Sequence, residues 1–441
     1  MSDIEKQPSS PARKSTLDAA TCDTSPRNST LIPSDAPLIP DAGECEYNRL
    51  KAWMAVFGAF LALFCSFGQI NAFGTFQSFY STHQLSSMSP FSISWIGSLQ
   101  LWVFFFMGGP IGCLFDAYGP TPLLCSGSIL LVSSLVLTSV AVEYYQYLLA
   151  QGVLFGLGAA MLFYPTIASV ATHFNEYRAT AIGIASAGSG CGGVIYPVML
   201  RYLFDTVGFG WATRISALIA SVLCVPAILS VKPLLRIKKK EGSLIEIRMI
   251  KDGRFLLLVA GSFFVCFGIF TPYFYISDYA ESINIPSNTA FYILSLMNAG
   301  GVIGRIAPAW LSDKIGRFNL LCPSAFLAGL SCLVLWMFGR NLAAMAIFAT
   351  IYGFLSGAFV SVVTPCVAQI SEIGEIGTRI GALYTFISIP SLFGGPIAGA
   401  LLQQQGSFTA SIALAGSTMI LGSVFLLASK LTIDRRFLCH I

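Results

Sequence analysis

The sequence predicts an all-α integral membrane protein with about twelve transmembrane helices, arranged as two six-helix bundles with both termini in the cytoplasm. Of the 441 residues, 55% are hydrophobic and only 10% are charged, and the mean hydropathy is +0.73. A soluble globular chain carries about 25% charged residues. About twelve apolar segments have the roughly 20 residues that a helix needs to cross a bilayer. Basic residues concentrate in loops that would share one side of the membrane.

The apolar segments fall into two groups, one on each side of a basic gap. The predicted helices of the first group begin near Ala52, Phe91, Pro122, Tyr145, Ala179 and Ala212, and those of the second group begin near Phe255, Asn288, Asn319, Leu342, Gly377 and Phe408. We therefore predict an N-terminal bundle over residues 49–231, a basic cytoplasmic loop over residues 232–254 and a C-terminal bundle over residues 255–431.

The two ends of the chain differ in composition from the bundles. Residues 1–48 are rich in Ser, Thr, Pro, Asp and Lys and contain no apolar core segment, which is not the pattern of a signal peptide. Such a segment buries too little apolar surface to offset the entropy of ordering. We predict a disordered cytoplasmic tail over residues 1–48 and a short cytoplasmic tail over residues 432–441.

The basic gap predicts the orientation of the chain. It contains Lys232, Arg236, Lys238, Lys239, Lys240, Arg248, Lys251 and Arg254. Basic residues are retained on the cytoplasmic side, and placing this loop there also places Arg178, Arg317 and Arg379 inside. A basic run between two spans is expected to contact lipid headgroups rather than nucleic acid. The expected partners are therefore the lipid bilayer and a small-molecule substrate, and the lack of an organelle signal favours the plasma membrane.

The sequence shows no catalytic or metal-binding arrangement. Cysteines such as Cys65, Cys191 and Cys266 lie singly in apolar segments, where small buried hydrophobic residues are expected. The three histidines are scattered, which does not suit a zinc site. Neither a Ser-His-Asp arrangement nor a phosphate-binding Gly-Lys-Ser/Thr loop is visible. We predict that the protein is not an enzyme and has no catalytic residue, metal site or cofactor.

Two short loops at matching places in the two halves share a pattern. After the predicted eighth span the chain has Gly304-Arg305 and then Leu311-Ser312-Asp313-Lys314-Ile315-Gly316-Arg317. After the second span it has Gly112-Cys113-Leu114-Phe115-Asp116-Ala117-Tyr118-Gly119-Pro120. The first-half copy keeps the aspartate and the glycine but lacks both basic residues. The repeated pattern resembles the cytoplasmic loop signature of the major facilitator superfamily, whose members are secondary transporters.

These loops suggest a gate. A carboxylate at a helix end can pair with a helix N-terminus, or with an arginine of the facing bundle, and hold one conformation shut. The candidate gating residues are Asp116, Asp313, Lys314 and Arg317, with Arg178 and Arg379 as candidate partners for the two aspartates at the starts of the fifth and eleventh spans. The alternative is that all of these are ordinary solvated loop charges.

Within the superfamily the chain resembles the fungal form of the monocarboxylate-permease branch. The likeness covers about residues 50–430 and is carried by Asn71-Ala72-Phe73-Gly74-Thr75-Phe76, Tyr164-Pro165, Pro272-Tyr273-Phe274-Tyr275, Asn298-Ala299-Gly300 and Gly395-Pro396-Ile397-Ala398-Gly399. It implies a cavity between two six-helix bundles that opens to one side at a time. The lysine and the aspartate that animal monocarboxylate carriers have in the first and eighth spans are Asn71 and Gly301 here. Both differences count against proton coupling and a lactate-like substrate.

Arg305 is the clearest charge inside a predicted span. It precedes Asp313 by about two turns, some 12 Å at about 1.5 Å per residue, and a lone arginine there costs roughly 2.5–3.5 kcal/mol. It therefore binds a substrate anion, or it makes a structural bond to backbone carbonyls or to the Asp313 loop. Since no acidic residue falls deep in a span, we expect a mildly positive, aromatic cavity. The other candidate substrate-binding residues are Asn71, Tyr164, Tyr273, Tyr275, Asn298 and Tyr384, with core packing as the alternative for the aromatic ones.

The predicted function follows from these features together. We predict a monomeric secondary transporter that moves a small organic molecule, either monocarboxylate-like or an acidic or aromatic metabolite, by alternating access. One alternative is an exporter of a fungal secondary metabolite. An alternative of another class is a nutrient receptor built on a transporter scaffold, which would usually have a long cytoplasmic signalling tail.

Overall fold

The computed structural model describes residues 42–174, 177–232, 252–371, 375–405 and 407–433. Most of the predicted N-terminal tail, most of the basic loop and most of the C-terminal tail lie outside these ranges. Every regular element in the described ranges is helical. The predicted all-α class is confirmed.

The helices form twelve long units, α1 to α12, some of which consist of consecutive pieces. The first half contains α1 (Ala42–Cys65, Phe67–Ile70 and Phe73–Thr82), α2 (Pro90–Phe106 and Gly108–Tyr118), α3 (Pro120–Val140), α4 (Tyr144–Tyr147, the π-helical Leu148–Leu154 and Phe155–His173), α5 (Arg178–Val207) and α6 (Phe209–Ser230). The second half contains α7 (Gly253–Ile269 and Thr271–Ser282), α8 (Ser287–Ile315), α9 (Arg317–Ser331 and the π-helical Cys332–Trp336), α10 (Leu342–Gln369), α11 (Ile376–Gln405) and α12 (Thr409–Ile433). Apart from α1, each unit begins within about three residues of its predicted start.

Eleven of these units, within the described residues, are long and apolar enough to cross a membrane. The remaining unit, α8, is long enough at 29 residues, but its second half carries Arg305, Asp313 and Lys314. Since about 20 residues span the hydrocarbon core, length alone does not distinguish α8 from its neighbours. The multi-pass membrane architecture is confirmed.

The outer surface of the bundle is apolar, as α6 illustrates. Leu218, Val222, Val225 and Leu229 follow one another at intervals of three or four residues and are 57–67% exposed. This spacing places them on one helical face. An exposed apolar stripe of this kind is compatible with lipid rather than water, so this face of α6 contacts the bilayer.

Helices α1 and α7 are both broken part-way along their length. In α7 the break at Phe270 precedes Pro272, whose ring clashes with the carbonyl of the preceding turn and removes a backbone donor. In α1 the hydroxyl of Ser66 donates to the carbonyl oxygen of Ala62 at 2.7 Å, a bond that competes with the helical ladder. A second break in α1, at residues 71–72, lies about as far from the end of its helix as the break at Phe270 does in α7.

Glycines allow α8 and α10 to approach closely. A Cβ atom added to Gly304 would overlap the backbone of Phe354 in α10, and one added to Gly353 would overlap the carbonyl oxygen of Met297 in α8. In lipid, helices associate by close packing rather than by the hydrophobic effect. Some of the 41 glycines of the sequence are therefore required by this close packing. Between the two halves, α8 packs on α5 and α11 packs on α2.

Candidate functional site

A cavity of about 910 Å³ lies between the two halves. Its wall is formed by α1, α2 and α5 of the first half and by α7, α8, α10 and α11 of the second. It extends from Arg305, Ser356 and Val360 to residues at the helix ends, among them Thr82 and Glu281. We call the side of Thr82 and Glu281 the open end, and the opposite side, where α2 and α8 terminate, the closed end.

Arg305 lies at the floor of this cavity. Arg305 is only 4% exposed, and its Nε and Nη1 atoms have no hydrogen-bond partner among the described residues. The guanidinium packs on the bare backbone of α5, since a Cβ on Gly190 would lie 2.5 Å from Nη1. A buried donor without a partner costs about 1–3 kcal/mol, and more when it is charged. The geometry therefore favours an acceptor supplied from the cavity over the structural bonds that were the alternative.

Two asparagines flank the same region of α5. Asn71 lines the cavity and donates a long bond of 3.5 Å to the carbonyl of Ser189. Asn298 donates to Leu294 at 3.2 Å, while its Oδ1 atom is buried without a partner in the described part of the chain. Asn298 is 2% exposed and stands behind the cavity wall, against Gly193. The structure thus brings Asn71 into the cavity and places Asn298 next to it.

Two of the predicted tyrosines belong to the cavity wall on α7. The hydroxyl of Tyr273 is 3.0 Å from that of Ser356, and Tyr273 lies close enough to Arg305 for the two to interact electrostatically. Tyr275 donates to the carbonyl of Gly395 in α11 at 2.8 Å. Because each hydroxyl is anchored, the rings present fixed faces to the cavity, which suits an aromatic or apolar substrate body.

The other two predicted tyrosines lie beneath the cavity rather than on its main wall. Tyr164 and Tyr384 are buried with ring centroids 5.4 Å apart, and Tyr384 stacks on Phe105 at 5.8 Å. Their hydroxyls bond to Phe104 and Thr364. These rings belong to an aromatic plug made of Phe67, Phe104, Phe105, Phe163, Tyr164, Phe270 and Tyr384. The plug joins the two halves and separates the cavity from the closed end.

Asp313, near the end of α8, caps the first turn of α5. It accepts from the backbone nitrogens of Ala179 and Thr180 at 3.0 and 2.7 Å and from the hydroxyl of Thr180 at 2.8 Å. Arg317 pairs with it at 3.3 Å. The first N–H groups of a helix lack intrahelical acceptors and carry the positive end of its dipole. The carboxylate therefore ties the second half to the first at the closed end.

Asp116 makes the corresponding contact on the other side. Located at the end of α2, it accepts from the backbone nitrogen and the hydroxyl of Thr378 in α11, each at 2.7 Å. The glycine three residues after each aspartate has positive φ, 80° at Gly119 and 98° at Gly316, which favours glycine over other residues. The repeated Asp-x-x-Gly pattern thus combines a cap for the facing half with a turn into the next helix.

The basic residues of the predicted gate have different contacts. Arg178 donates to the carbonyls of Phe174 and Ala368 at 2.8 and 3.2 Å and lies within electrostatic reach of Asp313. The bond to Ala368 also joins the two halves. Among the described residues, the hydrogen bonds of 3.0 Å or less that Asp116 and Asp313 accept come from the starts of α11 and α5 rather than from Arg178 or Arg379. Arg379 pairs with Asp252 at 3.2 Å, and Lys314 lies over the ring of Trp310 at 3.8 Å.

Acidic residues near the open end were not among the predicted site residues. Asp205 on α5 and Asp278 and Glu281 on α7 line the cavity, together with Arg201. The prediction of a mildly positive cavity therefore applies only to the floor of the cavity. The signal available in the sequence was the spacing of Asp278 and Glu281, which puts both on one face of α7, the face that also carries Tyr275.

Comparison with known proteins places the chain among transporters. The family model of the Major Facilitator Superfamily matches residues 59–340 and 307–436. The transporter asaE of Aspergillus flavus is 36% identical over 90% of both chains. The agnestins efflux protein of Paecilomyces divaricatus is 37% identical over 87% of this chain and 88% of its own. The aspyridones efflux protein of Emericella nidulans is 34% identical over 90% of this chain and 81% of its own.

Solved structures show the same fold. The human organic anion transporter TETRAN superimposes with a TM-score of 0.70 at 15% identity, covering 86% of this chain and 99% of its own. The E. coli fucose:proton symporter superimposes with a TM-score of 0.67 at 14% identity, covering 87% and 99%. At such identities the likeness concerns the fold alone.

Proposed function

Because this chain belongs to the major facilitator superfamily and is a transporter rather than an enzyme, we propose that it exports an acidic organic metabolite by alternating access. The substrate class is inferred from Arg305, a buried guanidinium at the floor of a large cavity whose Nε and Nη1 atoms lack partners among the described residues. Arginine presents donors in a planar fork that matches a carboxylate. The anchored tyrosines of α7 and a volume of about 910 Å³ suit a molecule larger than lactate.

The export direction is supported by the relatives, two of which are named as efflux proteins of fungal metabolites, the agnestins and the aspyridones. Alternating access is supported by the arrangement of the two ends. The cavity extends to one end of the bundle, while the aromatic plug and the Asp116 and Asp313 caps occupy the other. Releasing both caps and parting α2 from α11 and α5 from α8 would open the closed end.

Flux through liposomes tests this proposal. Full-length protein in liposomes is expected to move biphenyl-4-carboxylate faster than empty liposomes do at pH 8, where almost none of the acid is in its neutral, membrane-permeant form. The variant Arg305→Ala is expected to lose most of that flux. A nutrient receptor on the same scaffold would bind the acid without moving it, and this result would reject the transporter mechanism proposed for the cavity.

The topology proposed for the chain has twelve spans with both termini in the cytoplasm, in a monomer at the plasma membrane. It rests on the basic gap around residues 232–254 and on the positive-inside bias. We also place the chain in the monocarboxylate-permease-like branch, on the motifs named above. In this orientation the open end faces outward and the closed end faces the cytoplasm.

Protease and antibody accessibility checks the topology. Tags at both termini are expected to react only after the membrane is permeabilised, and the loop over residues 232–254 is expected to be cleaved only from the cytoplasmic side. A terminus that reacts on intact cells would contradict the twelve-span arrangement. A tag inserted after Val142, between α3 and α4, serves as the control that reacts from outside.

A further inference from the structure

The charges of the cavity are arranged along its length. Arg305 lies at the floor, and Asp278 and Glu281 lie on the α7 wall toward the open end. On the α5 wall, Arg201 and Asp205 are four residues apart, a spacing at which opposite charges offset each other on one helix. The cavity is therefore positive at its floor and negative along α7.

The two α7 carboxylates have no side-chain hydrogen bond or ion pair among the described residues. Besides Arg201 and Asp205, the titratable groups that line the cavity near these carboxylates include His83 of α1 and Tyr275 of α7. Unpaired carboxylates on the wall of a cavity with an unpaired arginine at its floor are complementary to a molecule with two unlike ends. The buried arginine is the independent observation that marks this cavity as a ligand site.

The distance between the Arg305 region and the two α7 carboxylates follows from the geometry of helix α7. Tyr273 is an α7 residue that lines the cavity together with Arg305 and lies within electrostatic reach of it. Asp278 and Glu281 follow Tyr273 by five and eight residues, which is about 8 and 12 Å along an α-helix. A ligand that reaches both regions needs roughly that distance between its ends, and a cavity of about 910 Å³ accommodates it.

We propose that the transported molecule is amphoteric, with an acid group that binds Arg305 and a basic or hydrogen-bond-donating group that faces Asp278 and Glu281. This inference rests on the proposed function of Arg305. It specifies the substrate class further, because a second acid group at the far end would meet the α7 carboxylates. The same charges thus favour an amino acid-like or hydroxylated monoacid and disfavour diacids.

Three rigid probes of similar length test the proposal. They are biphenyl-4-carboxylate, 4′-aminomethylbiphenyl-4-carboxylate and biphenyl-4,4′-dicarboxylate, with binding to the purified full-length protein measured at pH 7. Solvent-exposed charge pairs contribute only a modest free energy. The amine is therefore expected to bind about two- to fivefold more tightly than the monoacid. The diacid is expected to bind more weakly than the monoacid by a similar factor, and both differences are expected to shrink at high salt.

Substitutions separate this inference from the proposed function. The double variant Asp278→Asn with Glu281→Gln is expected to bind the three probes with similar affinity, and its thermal melting curve and size-exclusion profile, compared with those of wild type, show that it is folded. Glu143→Gln, which removes a carboxylate outside the cavity, is the matched control and is expected to keep the wild-type order. If monoacid binding depends on Arg305 but the order is absent, or persists in the double variant, the inference is wrong and the proposed function stands. If Arg305→Ala changes no affinity, or no probe binds, both are wrong.

Discussion

Replacing Asp313 with asparagine is expected to lower the transport rate at least fivefold while leaving substrate binding and expression largely intact. The carboxylate accepts three hydrogen bonds from the start of α5 and pairs with Arg317. Asparagine keeps the shape but removes the charge that faces the helix dipole. This loss is expected to cost about 1–3 kcal/mol in total, since a charge at a helix end contributes up to about 2 kcal/mol and a hydrogen bond to a charged group about 1.5–3 kcal/mol. A loss of that size would shift the equilibrium between the two end states about 5- to 150-fold.

Cys113 offers a direct measurement of that shift. Its sulfur lies 3.7 Å from the Thr378 hydroxyl, between α2 and α11. If both caps hold one gate, loosening Asp313 on the α5–α8 side is expected to expose Cys113 and raise its alkylation rate, followed peptide by peptide with mass spectrometry. Cys125, already exposed on α3, is the internal control. An unchanged rate at Cys113 would show that the two caps open independently.

Asp116→Asn is the matched comparison and is expected to have the smaller effect. Asp116 receives its hydrogen bonds from Thr378, and its loop has alanine and proline where the second-half loop has Lys314 and Arg317. Initial transport rates of the two variants at equal expression decide between them. A larger loss with Asp116→Asn would mean that the α2–α11 side dominates the closure.

The positions of the helices could be predicted because the bilayer imposes a simple rule. A segment of about 20 apolar residues must be helical in lipid, where every backbone polar group needs an internal partner. The starts of α2 to α12 accordingly agree with the sequence. The repeated Asp-x-x-Gly loops could also be recognised in the sequence. The backbone has positive φ at Gly119 and Gly316, and this conformation favours glycine, so each loop carries a glycine at a fixed distance from its aspartate.

The partners of the gating aspartates could be predicted only as alternatives. A helix N-terminus and an arginine were both available at the starts of α5 and α11, one residue apart in sequence. Which of them receives the carboxylate depends on how α8 and α2 dock, and local sequence does not specify that. The structure has the helix N-termini in this role, while Arg178 and Arg379 bond to carbonyls near the end of α10.

The depth of the tyrosines could not be predicted for a related reason. Helices α4 and α11 are apolar on all sides, so the sequence has no periodicity that shows whether the helix face with Tyr164 or Tyr384 meets the cavity. Both belong to the plug. The position of Glu281 in the cavity wall could not be predicted either, because an acidic residue near a helix end resembles an ordinary loop charge. Only the packing of α7 against α8, α11 and α12 turns it toward the cavity.

Arg305→Ala is expected to weaken binding of biphenyl-4-carboxylate about 10- to 150-fold, since hydrogen bonds to charged groups contribute about 1.5–3 kcal/mol. Arg305→Lys keeps the charge but loses the planar fork, and lysine is more strongly hydrated. It is therefore expected to be impaired nearly as much. The methyl ester, which lacks the anionic acceptor, is expected to bind weakly to wild type and to lose little in either variant.

The matched control for this experiment is Arg201→Ala, because Arg201 lines the same cavity near its open end and is exposed to solvent. Its removal is expected to change acid binding by no more than the few-fold effect of a screened surface charge. The acid-to-ester ratio is the decisive quantity, since a merely structural arginine would lower the affinity of acid and ester together. If wild type binds both equally and Arg305→Ala changes neither, Arg305 does not bind the substrate, and the unpaired Nε and Nη1 donors must be satisfied by water inside the protein instead.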